Sequence, residues 1–219
     1  MDMNQARFNM IEQQIRPWEV LDPQVLALLS TVRRDDFVPL AHKALAFVDM
    51  EIPLGAAPNQ VMLAPRVQAR LLQDLAVLNT DKVLDVGTGS GFMAALLAHQ
   101  AASVLSLEID PALASQAQAK LQQAGVSNVT VRCADGSQGA AADGPFDAIV
   151  LNGSVAEVPA ALLQQLTVGG RLVAIVGQEP MMRATLITRT GQNSWTTTEP
   201  WDCNAPRLSG FAEPSSFHF

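Results

Sequence analysis

Apolar residues recur at Phe8, Ile11 and Ile15, a helical spacing that stops at Pro17, and Asp22 followed by Pro23 reads as a cap and first turn before the apolar run 25–32. From Pro65 onward, Val67, Leu71, Leu75 and Leu78 form one stripe, so a helix leads into a strand that begins at Lys82. Beyond it the pattern alternates with short connections. Strands are predicted at 83–86, 104–109, 129–133, 146–151 and 171–176, with helices over 91–101, 111–124 and 159–166 between them. Asp110 caps the helix that starts at Pro111, and Gly125 stands just past its end. Such alternation predicts an α/β fold, a doubly wound, mostly parallel sheet with helices on both faces and a helical N-terminal extension. Two late strands, at 185–190 and between Trp195 and Phe211, complete the pattern, the second covering a sheet edge.

Length and composition fit one body with an appendage: 219 residues, 48% hydrophobic. A formal charge of −7, with no run of Lys or Arg, argues against nucleic acid or an acidic membrane as partner. No apolar run approaches the roughly 18 residues of a membrane span. Two cysteines, Cys133 and Cys203, make no disulfide framework, and the polar N-terminus is unlike a signal segment, so a cytoplasmic location is expected. His42, His99 and His218 lack metal-ligand spacing, and no metal is expected.

Candidate chemistry begins at VLDVGTGSGF, residues 83–92. After a strand and before a helix, Gly87, Gly89 and Gly91 allow a tight turn and close approach of a ligand to the helix N-terminus. A dinucleotide fingerprint spaces its glycines G-x-G-x-x-G, with an apolar residue two positions before the first; here the spacing is G-x-G-x-G and that position is Asp85. An acid there suits a ligand with a cationic amino-acid end, which favours S-adenosyl-L-methionine over NAD. Glu108, 23 residues beyond Asp85, ends a strand where a carboxylate meets ribose hydroxyls, and Asp135 of the ADG step is placed to accept from an adenine amino group. Thr88, Ile109, Gly136 and Asn152 complete the expected donor site. Asn152 and Glu157 lie at the carboxyl edge of the sheet, where an acceptor also approaches.

In this order and spacing, VLDVGTGSGF, LEID, ADG, PFDAIVLNG and LLQQLTVGGRLVAIVG resemble the successive motifs of class I methyltransferases, specifically the protein-L-isoaspartate O-methyltransferase family. ALAFVDMEIPLG, NQVMLAP and RVQARLLQDLAVL are similar to the family's segment before the first strand, so the resemblance spans roughly residues 30 to 180. It implies a Rossmann-like methyltransferase core over 79–219 and a helical, substrate-side segment over 1–78. It also implies S-adenosyl-L-methionine as donor, S-adenosyl-L-homocysteine as product, and as partner a protein or peptide carrying isoaspartyl residues, whose carboxylate takes the methyl group. Asp49 and Gln60 fall on family positions at the acceptor side.

The family pattern Gly-Gln-Thr-Ile-Ser-Gln-Pro is met here by Asn59-Gln60-Val61-Met62-Leu63-Ala64-Pro65, and Tyr-x-Asp by Phe47-Val48-Asp49. Gln60, Pro65 and Asp49 are kept, whereas three hydroxyls are replaced by apolar side chains. A carboxylate acceptor with a pKa of about 4 is already ionised at neutral pH and needs positioning rather than a base. Two further readings stay open: a methyltransferase acting on a different acceptor, and a noncatalytic module that binds the donor and signals through a partner.

Overall fold

The computed structural model describes residues 2–213. Helix α1 (Met3–Met10) starts where Asp2 Oδ1 accepts the Asn4 N–H at 2.9 Å, continues as a π turn over Ile11–Ile15, and ends in a 3-10 turn at Pro17. In α2 (Pro23–Thr31) the expected cap forms, Asp22 Oδ1 accepting from the Gln24 N–H at 2.7 Å. Next come α3 (Arg34–Phe37), a 3-10 turn over Leu40–Leu45, and an antiparallel ribbon of β1 (Ile52–Pro53) and β2 (Val61–Met62). Helix α4 (Pro65–Leu75) buries Val67, Leu71 and Leu75 but stops short of Leu78, which is 59% exposed. Ala76 turns left-handed there, and Arg171 Nε donates to the Leu75 carbonyl at 2.6 Å, so a terminal carbonyl is satisfied from outside the helix.

The remaining chain builds one sheet from β3 (Lys82–Val86), β4 (Ser103–Glu108), β5 (Val129–Cys133), β6 (Phe146–Val155), β7 (Leu166–Gln178), β8 (Met181–Gly191) and β9 (Ser194–Asp202). Its order is β5-β4-β3-β6-β7-β8-β9, with the first five strands parallel and the last two antiparallel. Helices α5 (Phe92–Gln100), α6 (Pro111–Gln123) and α7 (Ala160–Gln164) make the crossovers. Val83, Val104, Val150 and Val173 share a buried cluster with Val25, Leu71 and Phe92, so the N-terminal helices and the sheet share apolar contacts. On the opposite face Leu84, Leu105, Ile149 and Leu172 pack with Leu162 of α7. Coverage of both faces is why the central strands read as continuous apolar runs.

The first of the two late strands is longer than the sequence pattern indicates. β8 spans eleven residues, with Thr188 and Thr190 standing toward solvent on a near-edge strand while Thr185 is buried. The last strand ends at Asp202, and residues 203–213 leave the sheet edge. They run back across β6 instead, where the Ser154 N–H donates to the Pro206 carbonyl at 2.8 Å and the Leu208 N–H to the Ser154 carbonyl at 3.0 Å. His218 lies outside the described residues. Among the described residues, no helix is long and apolar enough to cross a membrane, no cluster of His, Cys, Asp and Glu has metal-binding geometry, and both cysteines are free.

Candidate active site

Strand order reverses at β3, and the crevice beyond the carboxyl ends of β3, β4 and β6 is where an open parallel sheet receives ligands. Gly87 leaves β3 with φ +85°, and its N–H donates to the Leu107 carbonyl at 2.9 Å, pinning the loop to β4. A Cβ at Gly87 would stand 2.7 Å from Leu208 Cδ2, inside the pocket that Gly87 and Gly89 line. Gly91 serves packing instead, beginning α5 against Ala117 of α6, and it does not line the pocket.

The parallel register sets Asp85 opposite Ser106 on β4 and Val150 on β6, with Asn152 two residues beyond Val150. Residues two apart point to the same face, so these polar side chains converge. Ser106 Oγ donates to Asp85 Oδ2 at 2.5 Å and pairs with Thr88 Oγ1 at 2.5 Å, while Asn152 Nδ2 donates to Asp85 Oδ1. A register irregularity between Val150 and Ser154 of β6 frees Asn152 and Gly153 from the ladder with β7.

Asp85 is 0% exposed, and burial pushes its carboxyl up to about 7; the bonds from Ser106 and Asn152 act to lower it, and nearby Glu108 adds to the rise. A folded-state pKa above the unfolded value, about 3.9, contributes stability that is complete below pH 4 and lost as pH rises through 7. The ligand-free protein therefore loses stability across that window, and Asp85→Asn flattens this component. Denaturant midpoints at pH 5, 6, 7 and 8 check it: parent and variant running parallel would contradict the assignment.

Glu108 closes the crevice at the end of β4. Its Oε2 accepts the Gly89 N–H at 2.7 Å and its Oε1 the Asp110 N–H at 3.1 Å, so one carboxylate holds both the glycine loop and the start of α6. Asp110 caps α6 through the Ala112 and Leu113 N–H groups and accepts from Gln60 Nε2 at 2.9 Å. Gln60 thus reaches across to the β4 end of the pocket, which Ile109 and Gly136 also line. Asp135 does not line it. Its Oδ1 accepts the Ser137 N–H at 2.8 Å, and Gly210 passes so close that a Cβ there would meet that oxygen at 2.6 Å.

On the other wall, Val61 of β2 lines both this pocket and a small cavity shared with Leu63, Thr88 and Asn152. Leu63 is buried, and its carbonyl accepts from Arg34 Nη2 at 2.9 Å. Arg34 is itself 1% exposed. It also donates to the Ala46 carbonyl at 3.0 Å and to Gln68, and stands 5.2 Å over the Phe92 ring. Phe47 is packed in the core. Asp49 turns away from the crevice: it pairs with Arg66 at 3.0 Å and lines a separate cavity with Trp18 and Trp201. Glu157 is exposed and lines neither pocket wall.

A protein-family model, Protein-L-isoaspartate(D-aspartate) O-methyltransferase (PCMT), matches residues 5–203. The chain belongs to this family. Curated relatives include protein-L-isoaspartate O-methyltransferase 2 of Marinobacter nauticus, 39% identical over 89% of this chain and 88% of its own. The protein-L-isoaspartate O-methyltransferase of Gloeobacter violaceus is 40% identical over 83% and 88%. A solved protein-L-isoaspartate O-methyltransferase superposes with a TM-score of 0.79 at 20% identity, over 95% of this chain and 66% of the other. A Plasmodium falciparum beta-aspartate methyltransferase (PCMT) structure in complex with S-adenosyl-L-homocysteine superposes with a TM-score of 0.76 at 18% identity, over 93% and 97%. These likenesses establish a Rossmann-like methyltransferase fold.

Within the family frame, the C-terminal residues are the part of the site that sequence patterns do not reveal. Leu208, Ser209 and Phe211 line the donor-side pocket, and Asn59 Nδ2 ties the tail to the β2 wall through the Arg207 carbonyl at 3.1 Å and Ser209 Oγ at 3.0 Å. The family match ends at residue 203, so this strap lies beyond it. No periodicity marks such a segment, because its partners, the backbone and Ser154 hydroxyl of β6 and the Asn59 side chain, lie roughly 50 to 150 positions away in sequence.

Proposed function

We propose that the chain transfers a methyl group from S-adenosyl-L-methionine to the carboxylate of isoaspartyl residues in proteins or peptides. One observation carries the proposal: a family match over residues 5–203 coincides with a pocket in which the glycine loop, Glu108 and Asn152 face the β2 wall. The site fits the donor on its own chemistry. Gly87 leaves a space that a Cβ would narrow, Glu108 offers carboxylate oxygens to sugar hydroxyls, and Asn152 Oδ1 is buried without a hydrogen-bond partner. When bound, the donor supplies an electrophilic methyl group on a sulfonium.

The protein's own part is positioning. An acceptor carboxylate with a pKa near 4 arrives ionised, so no residue needs to take its proton. Asp85, buried behind the pocket, is not among the residues that line it. Glu108 and the Gly89 N–H fix one end of the donor site, the network ending at Asn152 fixes the other, and the β2 wall sets the acceptor's approach. Near-attack placement of this kind is worth several kcal/mol.

The apolar β2 wall favours a second reading, transfer to a different acceptor, and a substitution separates the two. Val61 is only partly buried at the pocket, so Val61→Thr is expected to leave the melting temperature unchanged. It is also expected to raise transfer to an isoaspartyl peptide about tenfold, the worth of one orienting hydrogen bond of about 1.4 kcal/mol. Leu63 is in the core, and Leu63→Ser is expected to destabilise by about 2–4 kcal/mol through lost packing and an unpaired hydroxyl. Radiolabel transfer and thermal melts check both. Lower transfer by Val61→Thr, with the fold intact, would favour the different acceptor.

A further inference from the structure

Away from the donor pocket, a cavity of about 340 Å³ opens between the turn before β1, the start of α4 and the end of β9. Its charges are paired with one exception. Arg66 bonds Asp49 at 3.0 Å with its guanidinium 4.0 Å from the centre of the Trp18 ring, and Arg70 bonds Glu19 at 3.1 Å with its guanidinium 4.9 Å from that of Trp201. Asp202 pairs with Arg183 at 3.1 Å. Glu51 lines the same cavity, part-buried, and among the described residues it has no ion pair or side-chain hydrogen bond. Burial pushes its carboxyl up, with no partner charge to oppose the rise. The Cys203 thiol in this cavity is pushed up to about 11, chiefly by burial, and stays neutral. The uncompensated charge here is therefore one carboxylate.

Two chain segments join this cavity to the candidate active site. On one side Asn59 and Val61 line the donor-side pocket while Ala64 and Arg66 line the cavity; on the other, Arg207 and Ser209 line the pocket while Cys203 and Asn204 line the cavity. We propose that a peptide lying along these segments, with its isoaspartyl carboxylate at Val61, places a lysine or arginine side chain in the cavity against Glu51. This rests on the acceptor proposed above. From Val61 to Ala64 is about 10 Å of extended chain, at about 3.3 Å per residue, so the basic residue belongs about three positions from the isoaspartyl one. Trp18 and Met50, 40% and 41% exposed, give the cavity an apolar rim for the methylene stem of such a side chain. The formal charge of −7 attracts a basic peptide from further away, and an acidic side chain at the same position meets repulsion from Glu51.

Initial rates of methyl transfer to two series of isoaspartyl peptides test the subsite, one with lysine, alanine or glutamate three residues before the isoaspartyl residue and one with the same choices three residues after it. In one series the lysine peptide is expected to show a KM about fivefold below that of its alanine twin, as a part-buried ion pair predicts, and the glutamate peptide a KM above it, with kcat the same for all three. Glu51→Gln is expected to remove the lysine advantage, and Glu51→Lys to turn it into a preference for glutamate, a reversal that a merely structural role for Glu51 would not produce. Thermal melts confirm that each variant is folded. A parent that treats the three peptides alike in both series, or a lysine advantage that persists in Glu51→Gln, would overturn the subsite while leaving transfer to isoaspartyl peptides intact. A parent that methylates none of the peptides would overturn the proposed function itself, and the subsite with it.

Discussion

Arg34→Ala is expected to lower the unfolding free energy by about 3–5 kcal/mol, a large effect for a single polar substitution. The guanidinium is fully buried, and among the described residues no carboxylate pairs with it. Carbonyls of Ala46 and Leu63, the Gln68 side-chain oxygen and the Phe92 ring hold it instead, and burial lowers its pKa to about 9. Removing it leaves those oxygens without donors in a sealed interior, at about 1–3 kcal/mol each before relaxation, together with the volume of the side chain. Arg34→Met fills the volume and not the hydrogen bonds, so it recovers only the packing part. Because one of the carbonyls belongs to Leu63, next to the β2 wall, methyl transfer should fall further than donor binding in either variant. Denaturant unfolding of the three proteins checks the stability claim. A loss under about 1 kcal/mol for Arg34→Ala would mean that the segment is held by its apolar contacts alone.

Glu108→Ala is expected to weaken S-adenosyl-L-homocysteine binding by about 1.5–3 kcal/mol, since hydrogen bonds to a charged acceptor are the stronger class. Two contributions combine in that figure. The carboxylate is the acceptor available to sugar hydroxyls at the end of β4, and its oxygens also receive the Gly89 and Asp110 N–H groups that shape the pocket. Glu108→Gln keeps one acceptor oxygen but turns an NH2 toward the other N–H, so an intermediate loss is expected. Calorimetry on folded variants decides, and parent-like affinity in Glu108→Ala would leave Glu108 as a loop anchor only.

The central sheet was legible because its signals are local. Apolar runs marked the parallel strands, Asp22 and Asp110 sat at caps that formed, and the glycine spacing fell between a strand and a helix. What was not legible depends on register or on distant backbone. Asp85 could be singled out as an acid in an unusual place, yet its bonds to Ser106 and Asn152 follow from strand neighbours 21 and 67 positions away. Arg34 carried no pattern that set it apart from a solvated arginine, and its partners lie 12 to 34 positions off. Helix α4 ends before its apolar stripe does, at a left-handed Ala76, where Arg171, 96 positions from Leu75, supplies a donor to the terminal carbonyl. The C-terminal strap gave no periodic signal at all.

Methyl transfer to a matched pair of peptides, identical except that one carries an isoaspartyl and the other a normal aspartyl residue, tests the proposed function most directly. With labelled S-adenosyl-L-methionine, the expected result is base-labile label on the isoaspartyl peptide and none above background on its aspartyl twin. Tight binding of S-adenosyl-L-homocysteine with no label on either peptide would contradict it.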